Sequence, residues 1–457
     1  MTGPQRSEDA TRGGRPARGA RSRTRVELFV GKGGVGKTTL ACARAMSCAR
    51  AGQRVLVASL DQAHSLGDAL GFRFAHDPGA VPGITRVVPG LEVIELDSLA
   101  LLEERFGALT ELLRADPGHE HGFDLAALDP AELTGLPGVQ ELLMLVEIAQ
   151  YVADDEWDAI ILDCPPTADM LRVLTMPETV LGYLDRVWPP HHRMMSSIGT
   201  DIRRAVLAAT VQRVVTAVGE VRDLLADSDR TSARLITLAE RVAVAESARV
   251  RSAAALLGLR LDAVVVNKVL AAVPPPGPEP QHPAVRWYLN RCAEQWDVIS
   301  GLQRSMPEIP VLVAGHTGAE PVGLGPLAAL SCVVAEHDVP PGSGDAGVRL
   351  DSGGAVRDDP GSAPISGDGS AHAAPAVRLE SGAGLQSVYA MRIHLPVADP
   401  ATLRLGRVED DLIVGADGVR RRLRLAPVLR RCTVSTAELD NGYLVIRFRP
   451  DPQEWPK

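Results

Sequence analysis

The chain is poor in lysine, in aromatics and in paired cysteines, and each shortage removes a class of function. Lysine occurs four times in 457 residues, at positions 32, 37, 268 and 457, and arginine carries the positive charge everywhere else. Aromatic side chains make up 4% of the sequence, too few for a protein that stacks bases along a strand. The formal charge is −9, and the first 25 residues hold seven arginines against two acids, which leaves −14 on the remainder. A body that acidic opposes binding to a phosphate backbone, so no specific nucleic acid is expected as a partner. The six cysteines, Cys42, Cys48, Cys164, Cys292, Cys332 and Cys432, form no CxxC pair. Such spacing indicates neither a zinc site nor a disulfide framework and fits a reducing cytoplasm. No run of about 18 apolar residues occurs, so no transmembrane segment is expected.

Composition divides the chain into four. Residues 1–24 are rich in Arg, Gly and Ser and lack the apolar stretch of a secretory signal. They read as a disordered basic tail, solvated or in weak contact with acidic partners or lipid. From 25 to 339, short apolar runs alternate with helical stretches. The runs are Val26–Val30, Arg54–Ser59, Glu92–Leu96, Ala159–Asp163, Arg234–Leu238, Ala263–Asn267 and Ile309–Val313. Near-continuous apolar runs suit strands covered on both faces. Their alternation with helices predicts an α/β fold with a doubly wound, mostly parallel sheet. Two stretches, about 98–150 and 178–232, interrupt the alternation with apolar residues at three- and four-residue steps, as at Ile202, Val206, Leu207, Val211, Val214, Val215 and Val218. They read either as helices packed on the sheet or as a helical subdomain displaying an apolar groove.

Residues 340–384 are dominated by Gly, Ser, Ala, Pro and Asp and read as a flexible linker. Residues 385–450 change period again. Tyr389–Leu395, Thr402–Leu405, Asp411–Val414, Arg420–Leu425 and Tyr443–Phe448 are strand-like, with turn signals at Asp417-Gly418 and Asn441-Gly442. A small all-β, sandwich-like domain is expected there.

The strongest chemical motif is Gly31-Lys32-Gly33-Gly34-Val35-Gly36-Lys37-Thr38-Thr39, which satisfies G-x-x-x-x-G-K-[ST]. An apolar strand precedes it and the Ala-rich helix Leu40–Ala51 follows, as a phosphate-binding loop requires. Glycines let backbone N–H groups converge on a phosphate, and the helix N-terminus adds positive potential. Lys37 is expected to reach the β- and γ-phosphates, and the Thr38 hydroxyl to bind Mg²⁺. Two of the four lysines therefore sit in this loop, where a compact ammonium has a use that arginine does not serve.

Lys32 is not required by the general motif. With it, the loop resembles the deviant K-G-G-x-G-K-[ST] form of the ParA/MinD and ArsA class of ATPases. In that class the first lysine crosses a dimer interface to the partner's nucleotide, so the resemblance implies a nucleotide-sandwich homodimer. Ser59-Leu60-Asp61-Gln62-Ala63-His64-Ser65-Leu66-Gly67-Asp68 is similar to the S-x-D-P-A-H-[NS]-L-x-D segment of ArsA-type ATPases, the arsenite-pump and tail-anchored-protein-targeting family, with Gln62 in place of the proline. The resemblance gives Asp61 the role of positioning the attacking water; read by itself, Asp61 also suits a helix N-cap. Asp163-Cys164-Pro165-Pro166-Thr167 resembles the family's D-x-A-P-T-G-H switch, in which Asp163 holds Mg²⁺ through water. Pro165, Ala168 and Asp169 replace Ala, Gly and His there, while Leu171-Arg172-Val173-Leu174 and Met176-Pro177 keep to the pattern.

Thr237-Leu238-Ala239-Glu240, with Glu246 and Arg249, resembles the strand and helix near the base. Val266-Asn267-Lys268 resembles the N-x-V adenine contact, although an isolated Asn at a strand end is also a common turn residue. Residues 388–449 resemble the α-crystallin-type domain appended to some ArsA-like proteins. The resemblance as a whole implies a cytoplasmic, Mg²⁺-dependent ATPase that converts ATP and water to ADP and phosphate. It further implies a homodimer handling a hydrophobic protein client. A ParA/MinD-like positioning switch is the alternative. Arsenite transport is not expected, because the scattered cysteines offer no cluster of soft ligands.

Overall fold

The computed structural model describes residues 23–61, 65–73, 83–96, 101, 138–189, 202–271, 282–335, 376–395 and 400–455. Nearly all of the expected basic tail, most of the helical stretch near 98–150, and most of the linker lie outside the described residues.

The larger body is built on one eight-stranded sheet. Its strands are β1 (Arg25–Gly31), β2 (Val55–Ser59), β3 (Thr85–Val88), β4 (Leu91–Glu95), β5 (Ala159–Asp163), β6 (Thr231–Leu238), β7 (Arg260–Val269) and β8 (Val311–Gly315). They lie in the order β3-β4-β2-β5-β1-β6-β7-β8, parallel throughout except for β3, an antiparallel edge strand. β1 pairs with β5 on one side and β6 on the other, so the strand order reverses around β1. In such sheets the ligand crevice opens outside the carboxyl ends of the strands at that reversal.

The helices are α1 (Lys37–Arg50), α2 (Ser65–Leu70), α3 (Val139–Asp154), α4 (Thr167–Val187), α5 (Ile202–Ala226), α6 (Arg241–Leu257), α7 (Pro283–Ser305) and α8 (Leu324–Ala335). They cover both faces of the sheet. One core holds Leu40, Ala41 and Ala45 of α1 and Leu327 of α8 against Phe29, Val57 and Ile161. The other holds Leu145 and Ile148 of α3, Val173 of α4, Val221 of α5 and Val250 of α6 against Leu28, Ile160 and Leu235. The described parts of the two helical stretches thus pack on the sheet through their three- and four-residue apolar spacing. Among the described residues no helix is long and apolar enough to cross a membrane.

A second body follows. β14 (Cys432–Asp440), β15 (Tyr443–Pro450), β10 (Val388–His394) and β9 (Ala376–Ser381) form one antiparallel sheet in that order, and β11 (Arg404–Val408), β12 (Asp411–Ala416) and β13 (Val419–Arg424) form another. One short helix, α9 (Pro427–Arg430), joins β13 to β14. Met391, Ile393, Leu412, Val414, Leu423, Ile446 and Phe448 fill the space between the sheets. Asp417 and Gly418 (φ 50 and 84) and Asn441 and Gly442 (φ 47 and 77) take the left-handed backbone that a two-residue hairpin needs.

Four features differ from the sequence reading. Thr24, placed in the basic tail, is fully buried, and its hydroxyl donates to Trp157 O at 2.7 Å. β9 falls inside the stretch read as linker, where Gly and Ser on either side mask the apolar Val377 and Leu379. β3 and β14 were not expected. β3 is a four-residue edge, and β14 is solvent-exposed along most of its length, so neither carries an apolar run. β6 starts three residues earlier than its apolar run because Thr231 and Ser232 are buried in the ladder.

Candidate functional site

The loop between β1 and α1 is shaped by its glycines. Gly31, Gly34 and Gly36 have φ of 153, 79 and 91. A Cβ on Gly31 would lie 2.2 Å from Ile236 O, and one on Gly36 would lie 2.4 Å from Asn267 Nδ2. Backbone from β6 and a side chain from β7 therefore press against the loop from behind, and only glycine fits. Val35 is buried and anchors the loop in the core. Gly33, Gly34, Gly36, Lys37, Thr38 and Thr39 line a cavity of about 710 Å³, within the range of small-molecule and cofactor sites. Lys37 is folded inward, 7% exposed, with Nζ donating to Lys32 O at 3.3 Å. Lys32 is exposed and does not line this cavity.

Two acids converge on the same end of the sheet. The Thr38 hydroxyl donates to Asp163 Oδ2 at 2.6 Å and lies 3.1 Å from Ser65 Oγ. Asp163 is fully buried, and its Oδ1 has no hydrogen-bond partner among the described residues. Burial pushes its carboxyl up to about 6, against the pull of the Thr38 hydrogen bond and the Lys37 ammonium, while the Asp61 charge adds to the rise. A half-satisfied buried carboxylate of this kind is costly unless a cation joins it. An oxygen donor set of a threonine hydroxyl and an aspartate suits a hard divalent ion. Asp61 follows β2 and lines the cavity, half-buried. Its turn is held by Ser59, whose hydroxyl donates to Asp61 O and accepts from Asp61 N, both at 3.1 Å. Gln62, Ala63 and His64 lie outside the described residues.

Asn267, the expected adenine contact, also lines the cavity. Its Nδ2 donates to Val35 O at 2.8 Å and its Oδ1 accepts from Lys268 N at 2.8 Å, so the amide faces the phosphate loop. Thr237 and Glu240 do not line the cavity. Thr237 accepts a hydrogen bond from Ser247, and Glu240 pairs with Arg291 of α7.

The sequence reading missed two contributors. The segment that ends β8 and follows it, from Gly315 to Val322, lines the same cavity. It is folded on itself, with His316 Nδ1 accepting from Gly318 N at 3.0 Å and Thr317 Oγ1 donating to Ala319 O at 2.6 Å. A glycine-bearing loop at the end of the last parallel strand was the available signal. The other is Lys268, whose Nζ donates to Gly34 O at 3.3 Å.

The comparisons with known proteins agree with this geometry. The family described as anion-transporting ATPase matches residues 24–323, and an HSP20-like domain found in ArsA matches residues 386–448. Protein Rv2184c of Mycobacterium tuberculosis is 43% identical over 456 residues, covering 96% of this chain and 99% of that protein. A putative arsenical pump-driving ATPase of Prosthecochloris vibrioformis is 31% identical over 263 residues, covering 54% of this chain and 62% of its own length. The ATPase GET3 of Candida glabrata is 29% identical over 272 residues, covering 55% and 74%. With two thirds of its length matched and its phosphate loop formed between the central strand and the first helix, the chain belongs to the anion-transporting ATPase family and carries a C-terminal HSP20-like domain.

Proposed function

We propose that the chain hydrolyses ATP with Mg²⁺ and does so as a homodimer whose nucleotide state governs a hydrophobic protein client. The observation that carries the reading is the Thr38–Asp163 hydrogen bond beside the inward-folded Lys37, with one Asp163 oxygen buried and unpaired at the mouth of α1. Thr38 and Asp163 would hold Mg²⁺, which when bound spreads the negative charge of the β- and γ-phosphate oxygens.

The remaining roles follow from position. The loop N–H groups and Lys37 cradle the phosphates and stabilise charge on the transferring group. Asp61, at the cavity wall on a turn braced by Ser59, orients the attacking water and accepts its proton. Lys32, exposed and outside its own cavity, reaches the nucleotide of a second copy. The loop from Gly315 to Val322 encloses the base end. Arsenite is not part of this proposal. Soft-anion binding needs thiolates, and burial pushes the Cys42, Cys164 and Cys432 thiols up, away from that form.

The test is ATP turnover with and without Mg²⁺, measured together with molecular mass in ADP and in a non-hydrolysable ATP analogue. Turnover that needs Mg²⁺ and a mass that doubles with the triphosphate are expected. A protein that binds ATP yet stays monomeric and inert would overturn the proposal.

A further inference from the structure

The Asn267-Lys268 dipeptide is built in a way that a strand end does not need. Between Val266, which pairs with Val313, and Val269, which pairs with Gly315, β7 advances three residues while β8 advances two. One extra residue is therefore inserted into the ladder, a bulge of the kind that re-aims side chains beside functional sites. Lys268 occupies it with a left-handed backbone, φ 58, which a lysine adopts only when its surroundings compel it.

The surroundings do compel it. Gln295 of α7, 6% exposed, donates from Nε2 to Lys268 O at 3.3 Å and accepts at Oε1 from Leu270 N at 2.8 Å. The Asn267 side chain closes the other side through Lys268 N. Neighbouring side chains of a regular strand point to opposite faces. Here the bulge delivers two consecutive side chains to two consecutive carbonyls of one loop: Lys268 Nζ to Gly34 O at 3.3 Å and Asn267 Nδ2 to Val35 O at 2.8 Å.

We infer that Asn267 and Lys268 form a clamp that draws the Gly34 and Val35 carbonyls outward, so that the phosphate loop stands open with its N–H groups turned to the cavity. Lys268 is the positioning residue of the pair, acting through the loop carbonyl. The inference rests on the ATP-binding reading above. Three of the four lysines lie on or against the phosphate loop, and at Gly34 O the clamp requires a cationic donor at the end of a long stem. An anion-binding loop loses affinity when its carbonyls are free to turn inward, because they repel the phosphate that the N–H groups attract.

Three variants separate the clamp from a structural role. Lys268→Gly removes the ammonium and relieves the left-handed backbone. Lys268→Met keeps the backbone constraint and the stem but loses the charge. Lys268→Arg keeps the charge. Affinity is read with a fluorescent ATP analogue in Mg²⁺, alongside the melting temperature and the KM and kcat for ATP. Lys268→Gly and Lys268→Met are expected to bind roughly tenfold more weakly or worse, as for loss of a charge-assisted hydrogen bond, with raised KM and retained kcat. The melting temperature of Lys268→Gly should hold or rise, and Lys268→Arg should stay within about threefold of the parent affinity. If Lys268→Gly binds as tightly as the parent, or if Lys268→Met does so while Lys268→Gly does not, the clamp is overturned. A parent protein that binds no ATP at all would instead remove the ATP-binding reading.

Discussion

Thr38, at the start of α1, and Asp163, at the end of β5, are joined by a 2.6 Å hydrogen bond across 125 residues of sequence. The contact ties the phosphate loop to the strand beside it and leaves the other Asp163 oxygen buried without a partner among the described residues. Asp163→Asn keeps an acceptor for Thr38 but removes the charge. Hydrolysis is expected to fall on the order of a thousandfold at standard Mg²⁺, with part of the loss recovered at high Mg²⁺. A Mg²⁺ titration of turnover checks this, and an unchanged Mg²⁺ requirement would remove Asp163 from the metal site.

Asp61→Asn should leave ATP binding close to that of the parent, because Asp61 sits on the cavity wall and not in the phosphate loop. Turnover should drop by roughly two to four orders of magnitude, the range for a lost general base. Single-turnover kinetics separates the two quantities, and a near-normal kcat would take Asp61 out of the catalytic set.

Lys32→Ala should preserve nucleotide affinity per chain and lower kcat, since Lys32 lies outside its own cavity. Mixing it with Lys37→Ala should restore part of the activity if Lys37 serves its own site and Lys32 the partner's. Mixed dimers with no recovered turnover would count against the cross-subunit role.

Glu27 of β1 is buried between two arginines, with Arg44 Nη2 at 2.9 Å and Arg234 Nε at 3.3 Å. Burial pushes its carboxyl up, but the Arg44 hydrogen bond and the charges of Arg44, Arg234 and Arg25 outweigh it and hold the group down at about 2. A depressed pKa means stability that is fully present above the unfolded value near 4.5 and is lost as pH falls towards 2. Glu27→Gln removes the carboxylate shared by two buried guanidiniums, of which Arg234 keeps Asp262 at 3.6 Å, and should cost about 3–5 kcal/mol at neutral pH. In urea unfolding, the gap between parent and variant should be flat from about pH 7 to 5 and narrow below about 4.5. A gap independent of pH would contradict the ion-pair account.

The HSP20-like domain is seated on the ATPase body through Arg421. Its Nη1 donates to Leu256 O at the end of α6, at 2.7 Å, and its charge pulls down the carboxyl of Glu178 on α4, which burial pushes up. Ala253 and Leu256 of α6 complete the domain's own core, with Leu171 of α4 packed alongside. Arg421→Ala should weaken the seat by roughly 1–3 kcal/mol and speed backbone hydrogen exchange in α6 near 253–257. Unchanged exchange there would show that the apolar contacts hold the domain without it.

Most of the large sheet was legible because a parallel strand covered on both faces must be apolar along its length, as in Ala159–Asp163, where run and strand coincide. Edge strands escape that rule. β9 and β14 expose much of their length, and β3 is only four residues long and half-buried, so their residues alternate weakly or not at all and resemble loop. At the site, the phosphate loop was legible because its chemistry is local: glycines, lysine and threonine act within nine consecutive residues. Asn267 was picked out as a residue but not for the contact its amide makes, since its partner at Val35 is 232 residues away. Lys268 was named only as the neighbour of Asn267 and was given no role, and the loop from Gly315 to Val322 was not assigned to the site, because their partners lie far away in sequence.

The sequence by itself therefore determined the α/β architecture, the β-sandwich that follows it, and the glycine-rich loop of residues 31–39 between the first strand and the first helix, because periodicity and glycine placement are properties of short segments. Tertiary structure alone decided that Asp163 closes on Thr38, that a bulge in β7 turns Asn267 and Lys268 onto the phosphate loop, and that Arg421 seats the second domain on α6. Each of these joins residues more than a hundred positions apart. Strand order brings them together, and strand order is set by how the whole chain buries its apolar surface.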